Sequence, residues 1–162
     1  MSKQEQFTDA IIQSCAEIFE MMLPLSMTEK MQQRPLPFDL KTLEFGDDMI
    51  ASIGLTGEYN GTISLYLSTQ MALDMAGWLM EDQYSEMCAE VYESVGEIIN
   101  MIAGGLKNRM STDDHDIFDV SIPIMISGKD KQVFHGKNKE HIGVPIDTDK
   151  GLFFIALVLD RH

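Results

Sequence analysis

A glutamate and an asparagine three residues apart, Glu97 and Asn100, form the most chemically informative pair in this sequence. They lie in the stretch Glu86–Lys107, where apolar residues recur at the spacing of one long amphipathic helix. Side chains at i and i+3 are neighbours on a helix, so we expect both to point outward together. A carboxylate beside an amide can bind a cation and orient a polar molecule, but it brings no nucleophile of its own.

The same predicted helix contains two adjacent glycines, Gly104 and Gly105. Each costs about 1 kcal/mol relative to alanine in a helix interior, so their presence indicates close approach of another backbone or a ligand. At about 100° per residue, Gly104 shares the polar face with Glu93, Glu97 and Asn100. The opposite face is expected to pack onto a core through Val91, Val95, Ile98, Ile99, Ile102 and Leu106. The polar face is therefore either a docking surface with room at Gly104 or an ordinary solvated helix face.

The pattern resembles the motif of the CheC, CheX and FliY phosphatases of bacterial chemotaxis. That motif is Asp or Ser, three residues, Glu, two residues, Asn, then 22 residues and Pro, and the matching positions here are Glu93, Glu97, Asn100 and Pro123. Glu93 departs from the family's Asp or Ser, whereas the other three positions match. The chain is short and has one intact motif, so it is most similar to CheX.

The resemblance implies a protein phosphatase that hydrolyses the aspartyl phosphate of a CheY-like response regulator in two-component signalling. Asn100 would orient the attacking water, Glu97 would dock on the regulator's lysine, and Glu93 and Gly104 would serve partner binding. The phosphorylated partner would supply the divalent cation, Mg²⁺, so neither a cofactor nor a metal site of the chain's own is expected. A homodimer formed through sheet edges is also implied. The alternative is a non-catalytic module of the same fold that binds a receiver domain or a flagellar-switch component.

The composition predicts one globular, cytoplasmic domain over residues 1–162. The net charge of −14 argues against partners rich in phosphate, both nucleic acid and an anionic membrane surface. No apolar run approaches the ~18 residues that a membrane span needs, and the first residues are polar rather than signal-like. Cys15 and Cys88 are expected to be buried, reduced thiols.

Hydrophobic periodicity predicts an α+β fold, with a mostly antiparallel sheet and helices packed on one face, similar to CheX. Ser2 and Glu5 match a capping box that opens a first helix, which should end near Pro24. Asn60-Gly61 is the strongest hairpin signal, and Ser68 or Thr69 should cap a short helix after the hairpin. The remaining ranges are a helix over Gln70–Met80 and strands at Phe38–Leu43, Met49–Gly57, Thr62–Ser68, Ser121–Ser127, Gln132–His135, His141–Pro145 and, centrally in the sheet, Leu152–Leu159.

Each of two weaker patterns can be interpreted either as a functional site or as an ordinary surface feature. Gln13, Glu17 and Glu20 repeat the spacing of the main motif, either as a decayed first copy or, as we favour, as a solvated acidic face. His115 lies among aspartates, which could suggest a metal site. It has no second ligand at useful spacing, so a polar loop is the favoured interpretation.

Overall fold

The computed structural model describes residues 2–29, 49–127 and 138–161. These ranges form three helices and a mostly antiparallel sheet, which confirms the predicted α+β class. The elements are α1 (Lys3–Met21), β1 (Met49–Gly57), β2 (Gly61–Leu67), α2 (Thr69–Met80), α3 (Ala89–Met110), β3 (Phe118–Val120), β4 (Ile124–Ile126), β5 (Lys139–Thr148) and β6 (Gly151–Asp160). No helix in these ranges combines the length and the apolar character that crossing a membrane requires.

The sheet has the strand order β3-β1-β2-β6-β5, and β4 pairs with β1 on the same side as β3. Strand β6 lies between β2 and β5, so the predicted central position of the apolar C-terminal strand is confirmed. Its alternate residues face two clusters. Ile155 and Leu157 enter the main core with the helices, whereas Ala156 joins Ile50 and Tyr66 in a smaller cluster.

The helix starts follow the predicted caps. The Ser2 hydroxyl accepts a hydrogen bond from the Glu5 backbone N–H at 3.1 Å, and the Ser2 N–H donates to the Glu5 carboxylate at 2.9 Å. The Ser68 hydroxyl accepts from the Met71 N–H at 3.0 Å, so Ser68 and not Thr69 caps α2. These bonds occupy backbone donors that a helix leaves unpaired in its first turn.

The β1–β2 hairpin is also confirmed, with Asn60 Oδ1 accepting from the Gly57 N–H at 3.0 Å. Glycine is required at position 61 for a steric reason as well as for the turn. A Cβ on Gly61 would lie 1.9 Å from the Val158 carbonyl oxygen, because β6 approaches β2 closely there.

Several predicted boundaries of helices and strands were wrong. Helix α3 begins at Ala89 rather than Glu86, because Cys88 takes an extended conformation (φ −152°) as its N-cap. The strand predicted over Ser121–Ser127 is reduced to β4, because Ser121 and Pro123 precede it outside the ladder, and Pro has no N–H to donate. Strand β5 is longer than His141–Pro145.

Strand β3 is an element that the sequence analysis did not predict. It pairs with the end of β1, and Ser121 continues the contact by accepting from the Gly54 N–H through its hydroxyl at 2.8 Å. The predicted strands at Phe38–Leu43 and Gln132–His135 lie outside the described residues.

Candidate functional site

Helix α3 is fixed in rotation by its apolar stripe. The six residues predicted to face the core are all buried, with at most 2% of each exposed: Val91, Val95, Ile98, Ile99, Ile102 and Leu106. The opposite face therefore points outward, with Glu93 and Glu97 exposed and Asn100 and Gly104 half-buried. The four residues form one strip about 16 Å long, at 1.5 Å per residue.

The polar side chains of this strip have no partner in the part of the chain that the structure describes. Among the described residues, none offers a hydrogen bond or an ion pair to the side chains of Glu93, Glu97 or Asn100. Glu97 and Asn100 are one turn apart, so a single molecule lying on the strip can contact both. Their hydrogen-bonding capacity is thus available to an external group.

The two adjacent glycines of α3 have different surroundings. A Cβ built on Gly104 would meet no heavy atom within 4 Å, so this residue leaves an opening in the strip. A Cβ on Gly105 would lie 2.6 Å from Ser14 Oγ and 2.9 Å from Ser14 Cβ. Gly105 therefore permits close packing of α1 on α3, whereas no other described element packs against the Cβ position of Gly104.

Pro123 lies against α3 next to the candidate residues. Its Cγ is 3.5 Å from the ideal Cβ position of Gly96, and the thioether of Met125 is equally close. The hydroxyl groups of Tyr92 and Ser127 form a hydrogen bond, with their oxygens 2.5 Å apart, and this bond links the residue after β4 to the same helix. The edge segment that contains Pro123 thereby forms one wall of the strip. The sequence analysis did not single out Gly96, although a third glycine in α3 was a usable signal.

A cation lies at the C-terminal end of the strip. Lys107 Nζ is 3.6 Å from Asp116 Oδ2 and 3.5 Å from Asp119 Oδ1. Both carboxylates come from the segment that leaves α3 and enters β3. The sequence places Lys107 on the polar face but gives no sign of these partners.

The N-terminal end of the strip is acidic. Glu90 lies one turn before Glu93, and its own backbone N–H, with help from the Cys88 thiol, lowers the pKa of the Glu90 carboxyl. A carboxylate is also favoured there by the positive end of the helix dipole. From Glu90 to Lys107, this face of α3 therefore presents three carboxylates, then the amide of Asn100, then the opening at Gly104 and finally a lysine paired with two aspartates.

The remaining candidates fall outside the strip. Burial raises the pKa of the Cys15 thiol to about 12, so this cysteine is inert. The expectation of a buried thiol was wrong for Cys88, which is the N-cap residue of α3 and packs only partly against the core, so that it is half-buried.

His115 and Glu17 each have a partner of their own. His115 Nε2 lies 2.9 Å from Glu58 Oε2, which joins the loop after α3 to the end of β1. Glu17, from the repeated spacing on α1, pairs with Arg109 at 3.1 Å. Over residues 2–29, 49–127 and 138–161, no three His, Cys, Asp or Glu side chains are gathered as metal ligands would be.

Comparison with known proteins assigns the family. A family model, chemotaxis phosphatase CheX, matches residues 49–147, which include the whole strip and Pro123. The chain belongs to the CheX family. It is 24% identical over 98 residues to the CheY-P phosphatase CheX of Thermotoga maritima, a match that covers 60% of this chain and 63% of that protein.

Solved CheX structures have the same fold. The CheX structure from Desulfovibrio desulfuricans aligns with a TM-score of 0.79 at 21% identity, over 95% of this chain and 99% of that one. A chain of the CheX–CheY–BeF3–Mg²⁺ complex from Borrelia burgdorferi aligns with a TM-score of 0.70 at 23% identity, over 98% and 97%. The described helices and sheet are thus those of the CheX fold.

Proposed function

We propose that this protein is a phosphatase that hydrolyses the aspartyl phosphate of a CheY-like response regulator. The observation that carries the proposal is the outward-facing Glu97–Asn100 pair, whose side chains have no partner among the described residues and which lies within the segment matched by the CheX family. Two comparisons support it: the Thermotoga relative is a CheY-P phosphatase, and the Borrelia structure is a complex of CheX with CheY.

The chemistry is divided between the two proteins. Hydrolysis forms a bond from the water oxygen to phosphorus and breaks the bond from phosphorus to the aspartyl oxygen. It leaves a carboxylate and inorganic phosphate and releases a proton to solvent. Phosphoryl transfer is accelerated mainly by positioning and charge stabilisation. The strip offers an amide and carboxylates, so the regulator contributes the phosphoryl group, its bound Mg²⁺ and a lysine.

Asn100 holds the attacking water in line with the bond that breaks. Its amide can both donate and accept a hydrogen bond, so it can fix the orientation of a water molecule without changing charge. The half-buried position of Asn100, beside the wall that contains Pro123, limits the directions in which its side chain can point. A restricted side chain loses less entropy when it binds the water.

Glu97 sets the register of docking. Its carboxylate would repel the phosphoryl oxygens, so it pairs instead with the regulator's lysine in a charge-assisted hydrogen bond. Glu93 strengthens the negative field that attracts this cation. Gly104, which has open space around it, lets the regulator's surface come close to Asn100.

The proposal includes assembly as a homodimer, in the cytoplasm where response regulators act. Strands β3 and β4 lie at the sheet edge beyond β1, and Ile122, Ile124 and Ile126 are 84%, 65% and 45% exposed. An apolar edge strand is a template for pairing with another chain. Sedimentation should give twice the chain mass for the native protein and one chain mass for Ile124→Lys. A monomeric native protein would contradict the dimer.

The test of catalysis is phosphate release from a phosphorylated receiver domain. We expect the native protein to accelerate phosphate release. Asn100→Ala should reduce this acceleration by a factor of about 10²–10³, as the removal of one orienting donor typically does. Asn108→Ala, an exposed asparagine further along the same helix, is the matched control and should keep full activity.

Two results would count against the proposal. If the native protein leaves the rate unchanged yet binds a BeF3-loaded receiver, it is a non-catalytic receiver-binding module. If Asn100→Ala is as fast as the native protein, another group orients the water.

A further inference from the structure

We propose that Asp116 and Asp119 are positioning residues for the strip on α3. They hold the Lys107 ammonium toward β3 and so keep the opening at Gly104 clear for the partner. The inference rests on the proposed function, because a clear opening matters only if another protein docks there.

The geometry of Lys107 is the first step. Its side chain is 26% exposed and its Nζ lies between two carboxylates, 3.6 Å from Asp116 and 3.5 Å from Asp119. Both aspartates follow α3 in the chain, so they draw the ammonium toward the loop and the β3 edge. The lysine is therefore held away from the middle of the strip.

The second step is where Lys107 would lie without these partners. Side chains on a helix lean toward its N-terminus and cover the preceding turn. The residue one turn before Lys107 is Gly104, which has no side chain and no heavy atom within 4 Å of its Cβ position. The flexible four-carbon stem of an untethered Lys107 would therefore settle over the opening.

A lysine in that position would oppose docking in two ways. Its stem would occupy the space that the partner's surface needs. Its ammonium would also approach Glu97 and Asn100, where it would repel the partner's lysine and compete for the Glu97 carboxylate. The two aspartates remove both effects without contacting the partner's phosphoryl group.

The expected size of the effect follows from the exposure of the ion pairs. Asp116 and Asp119 are 70% and 86% exposed, and each distance to Nζ exceeds that of a direct hydrogen bond. Such pairs bias a side chain only modestly, so releasing Lys107 should weaken docking by about two- to fivefold.

The kinetic test uses the double variant Asp116→Asn/Asp119→Asn. We expect KM for the phosphorylated receiver to rise by about two- to fivefold with kcat unchanged, since the lost interaction acts on docking alone. A merely structural loss would lower the amount of active protein and hence kcat. Asp113→Asn/Asp114→Asn removes the same charge from the same loop, where neither aspartate has an ion-pair partner in the described part of the chain, and should leave KM unchanged.

Rescue decides the cause. Adding Lys107→Ala to the double variant should restore the native KM, because both the obstructing stem and the ammonium are gone. An unchanged KM in Asp116→Asn/Asp119→Asn, or a raised KM that Lys107→Ala does not correct, would overturn the proposal.

A second measurement does not depend on phosphatase activity. Gly104→Cys, in a Cys88→Ser background, places a thiol in the opening, while Cys15 is buried and unreactive. The measured quantity is the labelling rate with an anionic methanethiosulfonate reagent divided by the rate with a cationic one. This ratio should rise about two- to fivefold in Asp116→Asn/Asp119→Asn, which is more than in the Asp113→Asn/Asp114→Asn control. It should fall again when Lys107→Met is added. If the labelling ratio does not change, the proposed placement of Lys107 is refuted. If the ratio changes as expected but the native protein releases no phosphate from the receiver, only the proposed function is refuted.

Discussion

Two helices of this protein contain the same spacing of polar residues and use it differently. The two sets are Gln13, Glu17 and Glu20 on α1, and Glu93, Glu97 and Asn100 on α3. On α1 the middle glutamate forms an ion pair with Arg109 at 3.1 Å, whereas on α3 the middle glutamate has no partner among the described residues. A shared spacing therefore does not make two sites: what distinguishes the α3 set is that its middle glutamate is left available among the described residues.

The way the helices pack explains the difference. Helix α1 crosses α3 where Gly105 faces Ser14, and this contact brings the last turn of α3, with Arg109, beside Glu17. The α3 set lies on the face that α1 does not cover, next to the edge segment that rests on Gly96. The acidic face of α1 thus contributes to the helix pair, and that of α3 is free for another molecule.

The largest expected contrast comes from removing the middle charge on each helix. Glu97→Gln should lower kcat/KM for the phosphorylated receiver by about thirtyfold or more. Losing one member of a charge pair that becomes buried on docking costs about 2 kcal/mol or more. Phosphate release at several receiver concentrations measures the change.

Glu17→Gln is the matched control, since it makes the same substitution at the corresponding position of α1. It should keep kcat/KM within about twofold, because its exposed ion pair contributes only about 0.2–1 kcal/mol to stability. Equal losses in the two variants would show that α1 also contacts the receiver, and the contrast between the helices would then fail.

The local features of α3 could be predicted because they depend on residues close together in the chain. Its apolar stripe follows from the helical period, and all six predicted residues are buried. The exposure of Glu97 follows from the same period. The start was misplaced because Cys88 is not a typical capping residue, so no local signal marked it.

The walls of the site could not be predicted in this way. The contact of Pro123 with Gly96 and the pairs of Lys107 with Asp116 and Asp119 depend on how the chain returns to β1 after the helix. Strand β3 has three residues with a charged one in the middle, which is too short for alternation to reveal. The family motif placed Pro123 at the right spacing, but only the fold shows which residue it touches.

Adjacent glycines on α3 provide a smaller contrast, this time in stability. Gly105→Ala should lower the free energy of unfolding by up to about 2 kcal/mol. The added methyl group would meet Ser14, which is held by the bond from its hydroxyl to the Ala10 carbonyl at 2.7 Å, so the helices must separate. Overpacking typically costs about 1–3 kcal/mol, against a gain of about 1 kcal/mol in helix propensity. Urea unfolding measures the difference.

Gly104→Ala makes the same change one residue earlier and should have the opposite sign. It should raise the free energy of unfolding by about 0.5–1 kcal/mol, because alanine favours the helix and its methyl group meets nothing within 4 Å. If the opening serves docking, the more stable variant should also have a higher KM for the phosphorylated receiver. A protein that is both more stable and fully active would show that Gly104 has no role in binding, and the strip would then end at Asn100.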